Sequence, residues 1–166
     1  MKAFTEDSRT ISFYDNNQLL CKLVYPGRNS SKAGILMTTG EVYEIVPTDF
    51  WKSLFEVRIQ GKVVVTLKKK WTGRSVLTSH FDGLSNEYIF RQRGLFNVRY
   101  VIMDKDEREL AVARSKFIWK GLKYNFEIEV SDSLKRREGH FLLIVLLIYL
   151  ARSAMRQHSS AAMASA

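Results

Sequence analysis

The sequence predicts an all-β fold with one helix: a closed antiparallel barrel of about twelve strands around a central hydrophobic C-terminal helix. Two observations lead there. Short β-rich runs recur at hairpin spacing over most of the chain, separated by Gly, Asn and Asp turns. The last long segment, Phe141 to Ala151, reads FLLIVLLIYLA and is apolar on every helical face. A helix of that kind sits in a protein core or in lipid. A stacked sheet would cover one of its faces, whereas a closed barrel covers all of them and also removes exposed strand edges.

In chain order, Thr10 to Tyr14 and Gln18 to Tyr25 flank a turn at Asp15-Asn16-Asn17. Gly34 to Thr38 and Glu41 to Val46 flank Thr39-Gly40. Asp49-Phe50-Trp51 reads as a short helical turn. Leu54 to Ile59 and Lys62 to Lys69 are joined by the two-residue turn Gln60-Gly61, and Val63 to Leu67 is the strongest strand signal. Arg74 to Ser79 follows, then a loop over 82–86. Glu87 to Gln92 and Asn97 to Met103 are split by Arg93-Gly94. A charged turn, Asp104 to Glu107, leads into Leu110 to Arg114. Phe117 to Trp119 and Tyr124 to Val130 flank Lys120-Gly121-Leu122. Tyr124 to Val130 alternates apolar and polar residues, as for a sheet with one dry face. Tyr100 to Met103 and Leu110 to Ala113 look apolar on both faces.

Asp132 or Ser133 is placed to cap the one long helix, expected over about 137–157. Residues 1–158 are expected to form a single domain, and 159–166 a disordered tail. Eleven apolar residues span roughly 16 Å, about half of a hydrocarbon core of roughly 30 Å. The length favours burial in protein. The competing reading is a tail anchor in which Arg152 snorkels.

The chain has 166 residues, 46% hydrophobic and 26% charged, with a net charge of +9. That charge favours an anionic partner: nucleic acid, an acidic membrane surface or an acidic protein. It does not choose among them, and solubility alone is the other reading. The single cysteine, Cys21, lies among alternating apolar residues and reads as core. One cysteine, and no apolar signal region in MKAFTEDSRT, suggest a reducing, cytoplasmic setting, peripheral to a membrane if attached to one.

Basic clusters are the candidate sites. Lys68 and Lys70 share one strand face, beside Trp71 and Arg74. Arg91 and Arg93 share another. Arg136 and Arg137 precede the long helix, where positive charge opposes the helix dipole. Brought to one rim, these residues would make an anion-binding patch with an interfacial tryptophan. The alternative is a set of solvated strand ends. Catalytic residues, a metal site and a cofactor are not expected. His80, His140 and His158 are far apart in sequence, no nucleophile stands out beside His80-Phe81-Asp82, and the acidic turn lacks the glycine and glutamate of a calcium loop.

The order of elements, with YVIMDKDERELAVARSKF at 100–117, YNFEIEV at 124–130 and FLLIVLLIYLA at 141–151, resembles the tubby C-terminal-like superfamily. That group includes the LURP-one-related proteins and the phospholipid scramblases. The resemblance implies a barrel around a central helix and a non-catalytic module binding phosphoinositide-like headgroups. The alternatives are an interaction module for nucleic acid or protein without lipid binding, and a tail-anchored protein.

Overall fold

The computed structural model describes residues 1–70, 73–94, 97–119 and 123–164. Twelve strands close into one antiparallel barrel: β1 (Lys2–Thr5), β2 (Thr10–Asp15), β3 (Gln18–Val24), β4 (Ala33–Met37), β5 (Val42–Pro47), β6 (Leu54–Ile59), β7 (Lys62–Lys69), β8 (Ser75–Ser79), β9 (Asn86–Arg93), β10 (Arg99–Met103), β11 (Glu109–Ile118) and β12 (Lys123–Val130). Each strand pairs with its sequence neighbours, and β1 closes the ring against β12 through Lys2↔Glu127 and Ala3↔Phe126. Met1 reinforces the seam: its carbonyl accepts the Ile128 N–H at 3.0 Å.

The predicted number of strands is right for two compensating reasons. The short β1 lies in MKAFT, which carries no strong strand signal. Leu110 to Arg114 and Phe117 to Trp119, expected as two strands, are one ten-residue strand, β11, paired with β12 along Ala111↔Val130 to Ile118↔Lys123. Arg114-Ser115-Lys116 looks like a break because it is polar, yet Ser115 pairs with Phe126 and the ladder runs through it. Lys120, Gly121 and Leu122 lie outside the described residues. Asp49 to Trp51, expected as a short helical turn, lies in a turn closed by the Lys52 N–H donating to the Asp49 carbonyl at 3.2 Å.

Turn chemistry is locally consistent. Asn16 and Asn17 have φ of 46° and 65°, and Gln60 and Gly61 have 49° and 80°. Two successive left-handed residues define the hairpin turn whose twist matches its strands.

The C-terminal segment departs from expectation at both ends. Ser131, not Asp132 or Ser133, is a cap. Its Oγ accepts the Leu134 N–H at 3.2 Å and starts a separate short helix, α1 (Asp132–Lys135). The long helix, α2 (His140–Ala164), begins only after Gly139. Gly139 has φ +66°, and a Cβ there would overlap the Phe81 ring, so the chain turns sharply at this point. The expected end near residue 157 is too early. No Gly or Pro follows Gly139, and Ala and Met favour helix, so the backbone of 159–164, expected as a disordered tail, is helical.

Leu142 to Ala151 are all buried, none more than 5% exposed. Ten consecutive residues sample every face of a helix, so the barrel encloses α2. Inward residues alternate around the wall: Ile11 and Phe13, Cys21 and Leu23, Phe55 and Val57, Tyr88 and Phe90, Ala111 and Ala113. The axis of α2 lies nearest β9, β10 and β11, where the alanines of β11 permit close approach. The wider gap toward β2, β3 and β6 is filled by rings: Phe13 meets Phe141 edge-on, and Tyr149 lies between Tyr25 and Phe55. Burial pushes the Cys21 thiol up to about 12, which makes it a poor nucleophile.

Candidate functional site

The meander gives the barrel two unlike ends. Connections β2–β3, β4–β5, β6–β7, β8–β9 and β10–β11, together with α1, lie where α2 enters. Connections β1–β2, β3–β4, β5–β6, β7–β8, β9–β10 and β11–β12 lie where α2 leaves.

At the entry end, charges of both signs are interspersed and some are paired. Arg108 meets Asp106 at 3.1 Å and Lys135 meets Asp132 at 3.0 Å. Asp104 accepts the N–H groups of Asp106 and Arg108, both at 3.0 Å, and shapes a hairpin tip. A cleft of about 600 Å³ lies here, lined by Ser79, Tyr88, Asp104, Arg108 and Arg137 among others. His140 Nδ1 lies 2.9 Å from the Arg137 carbonyl, a structural contact. Among the described residues, no three of His, Cys, Asp and Glu cluster in a way that would hold a metal ion.

The exit end is different. Its connections carry Arg9, Arg28, Lys32, Lys52, Lys70 and Arg74, against Glu6, Asp7 and Asp49. The carboxylates are already engaged. The Ser12 hydroxyl, aided by Lys22, holds the Glu6 carboxyl below its usual range. Asp7 accepts the Arg9 N–H at 2.6 Å. Asp49 accepts the Ser53 hydroxyl at 2.6 Å and the Ser53 and Leu54 N–H groups at 2.8 Å each, and is held low chiefly by Ser53. Asp49 thereby pins the β5–β6 turn, in which Lys52 is left-handed at φ 53°. Phe50 and Trp51 project from that turn, 89% and 83% exposed. Trp119, after β11, is 82% exposed and packs edge-on against Phe117. Bulky aromatics in water beside cations that make no ion pair among the described residues distinguish this end.

The anion-site residues expected from sequence do not share one rim. Lys70 and Arg74 do lie together at the exit end, joined by a backbone hydrogen bond of 2.8 Å from Lys70 N–H to the Arg74 carbonyl. Lys68 is exposed on the outer wall of β7. Trp71 lies outside the described residues; in sequence it falls between β7 and β8. Arg91 and Arg93 are on the outer wall of β9, already in ion pairs: Arg91 with Glu107 at 3.5 Å, and Arg93 with Glu109 at 2.9 Å. Arg99 shares Glu109 at 3.4 Å. A small apolar cluster of Ile89, Val101, Met103 and Val112 lies beside them, with Arg93 donating to the Met103 sulfur at 3.2 Å, which is why β10 and β11 read as apolar on both faces. Arg136 and Arg137 are at the entry end. Arg136 caps the C-terminus of α1, where positive charge is favourable, and Arg137 donates to the Tyr88 hydroxyl at 3.3 Å.

Sequence alone did not mark Lys69 or Arg156 as site residues, and pointed to Arg152 only as a snorkelling charge. Strand parity offered a signal for Lys69: its neighbours 68 and 70 face outward, so it faces in. Its ammonium lies 4.5 Å from the Phe55 ring centroid, and burial pulls its pKa down to about 8. Arg152 and Arg156 stand on α2 where it emerges, with Tyr25 beneath them.

No protein-family model matches the chain, and no curated protein and no solved structure matches it. The resemblance to tubby-like domains rests on the order and kind of elements.

Proposed function

We propose that the protein is a non-catalytic binding module that docks the exit end of its barrel on an anionic phospholipid surface. The observation that carries this reading is the segregation of charge and aromatics: Lys52, Lys70, Arg28 and Lys32 share one end with Phe50, Trp51 and Trp119. Each Lys or Arg near an anionic leaflet contributes about 1 kcal/mol, and exposed Trp favours the headgroup region. An acidic protein would also suit the cations, but the exposed aromatic tips fit a bilayer interface better. A lumen filled by α2 leaves little room for a substrate and supports binding over catalysis. The eighteen residues His140–Gln157 are long and apolar enough to cross a bilayer, yet 56% of them are buried in the barrel, which favours peripheral contact over a tail anchor. The resemblance to tubby-like domains points the same way.

Vesicle flotation tests the reading. The protein should float with phosphatidylserine-containing vesicles, not with neutral ones, and less at high salt. Trp51→Ala and Lys52→Glu should each weaken binding about five- to tenfold. Equal binding to neutral vesicles, or none to either, contradicts it.

A further inference from the structure

Of three buried donors at the exit end without a hydrogen-bond partner among the described residues, one is Arg74 Nε and the other two lie together. The hydroxyl of Tyr25, a residue 2% exposed, and the buried Nη1 of Arg152 have no hydrogen-bond partner among the described residues. They belong to one cluster. Arg152 and Arg156, one helical turn apart on α2, both stack on the Tyr25 ring, 4.0 and 5.4 Å from its centroid. Arg152 also donates to the Ser8 carbonyl, and Arg156 to the carbonyls of Arg28 and Ser30. Tyr149 stacks on Tyr25 at 6.2 Å, but its hydroxyl is committed to the Ser31 carbonyl at 2.7 Å.

Burial and a like charge both act on Arg152. Burial, and then repulsion from Arg156, work against the charge on Arg152; Tyr25 and Asp7 act in the opposite sense. Asp7 itself is exposed and accepts the Arg9 N–H. Two guanidiniums, an unmatched O–H and an unmatched N–H at one place call for a ligand with more than one negative charge and several acceptor oxygens. A carboxylate brings one charge and two oxygens.

We propose that this cluster binds a phosphate group, taken between Arg152 and Arg156 with the Tyr25 hydroxyl as a further donor. It goes beyond membrane docking and uses other residues, in the barrel mouth rather than on the loop tips. The phosphate belongs either to a soluble phosphate ester or to a lipid headgroup.

Pyrophosphate titrated into the full chain should bind saturably and raise the melting temperature. Tyr25→Phe, which removes only the hydroxyl, should weaken it about threefold to tenfold, and Arg152→Gln about tenfold or more. Arg91→Gln, on the outer wall of β9 and away from the cluster, should change it less than about twofold. Vesicles of phosphatidic acid and of phosphatidylserine, matched in charge, separate the two sources. A preference for phosphatidic acid that Tyr25→Phe abolishes assigns a headgroup; pyrophosphate binding without that preference assigns a soluble ester. Absence of both overturns the site, as does binding that Tyr25→Phe and Arg152→Gln leave intact. Flotation on phosphatidylserine reports on docking alone, so either reading can fail without the other.

Discussion

Lys69 donates from Nζ to the Ser153 hydroxyl at 2.8 Å, tying the end of β7 to α2 across the barrel mouth. The same ammonium lies 4.5 Å from the Phe55 centroid and 5.6 Å from that of Tyr149. It is a cation held by a hydroxyl and two ring faces, with desolvation as the cause of its lowered pKa.

That arrangement gives stability a pH dependence. The folded pKa of about 8 lies below the unfolded value. Below both values the folded state carries the cost of a buried charge. Between the two, the folded protein has released a proton that the unfolded chain retains, so this group adds stability as pH rises. Cys21, Tyr25 and Tyr149, all raised chiefly by burial, act oppositely once their unfolded forms ionise. Comparison with Lys69→Met isolates the lysine. The stability of the wild type relative to Lys69→Met should rise by about 2 kcal/mol from pH 8 to pH 10 in denaturant titrations. Parallel curves would contradict a desolvated ammonium.

Leu146 is fully buried, midway along the apolar stretch Phe141–Ala151 of α2. Leu146→Ala should cost about 3 kcal/mol, from lost transfer energy and the cavity left behind. Chemical denaturation reads this directly. A cost under about 1 kcal/mol would mean that the helix is not enclosed.

Gly139→Ala places a Cβ against the Phe81 ring at a left-handed position. The clash and the backbone strain together should cost about 2–4 kcal/mol. Adding Phe81→Leu should recover part of the loss, because it relieves the clash and not the strain. A double variant no more stable than Gly139→Ala would put the strain elsewhere.

The barrel was legible because its signals are local. Hairpin turns, alternation in β12 and an all-apolar helix each carry their meaning in a few residues. The number of strands came out right although β1 was missed and β11 was divided. MKAFT becomes a strand only because β12 needs a partner to close the ring, and Arg114-Ser115-Lys116 stays in register only because β12 lies beside it. The candidate site was less legible. Clusters such as Arg91 with Arg93 stand out in sequence, but their acidic partners Glu107 and Glu109 arrive from the next hairpin. The feature that separates the two ends, alternation of connections in a closed meander, belongs to topology.

Arg91→Gln, Arg93→Gln and Arg136→Gln should therefore leave binding to anionic vesicles within about twofold, since they sit on the outer wall or the entry end. Stability should change by less than about 1 kcal/mol for Arg91→Gln, a partly exposed ion pair. A tenfold loss of vesicle binding from Arg93→Gln would move the docking face to the wall of β9.

The three tryptophans of the chain are Trp51, Trp71 and Trp119. Trp51 and Trp119 stand exposed at the exit end, and Trp71 lies outside the described residues. Unmodified protein therefore carries its own probes of that end. The most direct measurement is quenching of tryptophan fluorescence by brominated lipids in anionic vesicles. Docking through the exit end predicts strong quenching, saturating with the bound fraction and reversed by high salt. Binding to the vesicles without quenching would place the contact elsewhere on the barrel and contradict the account.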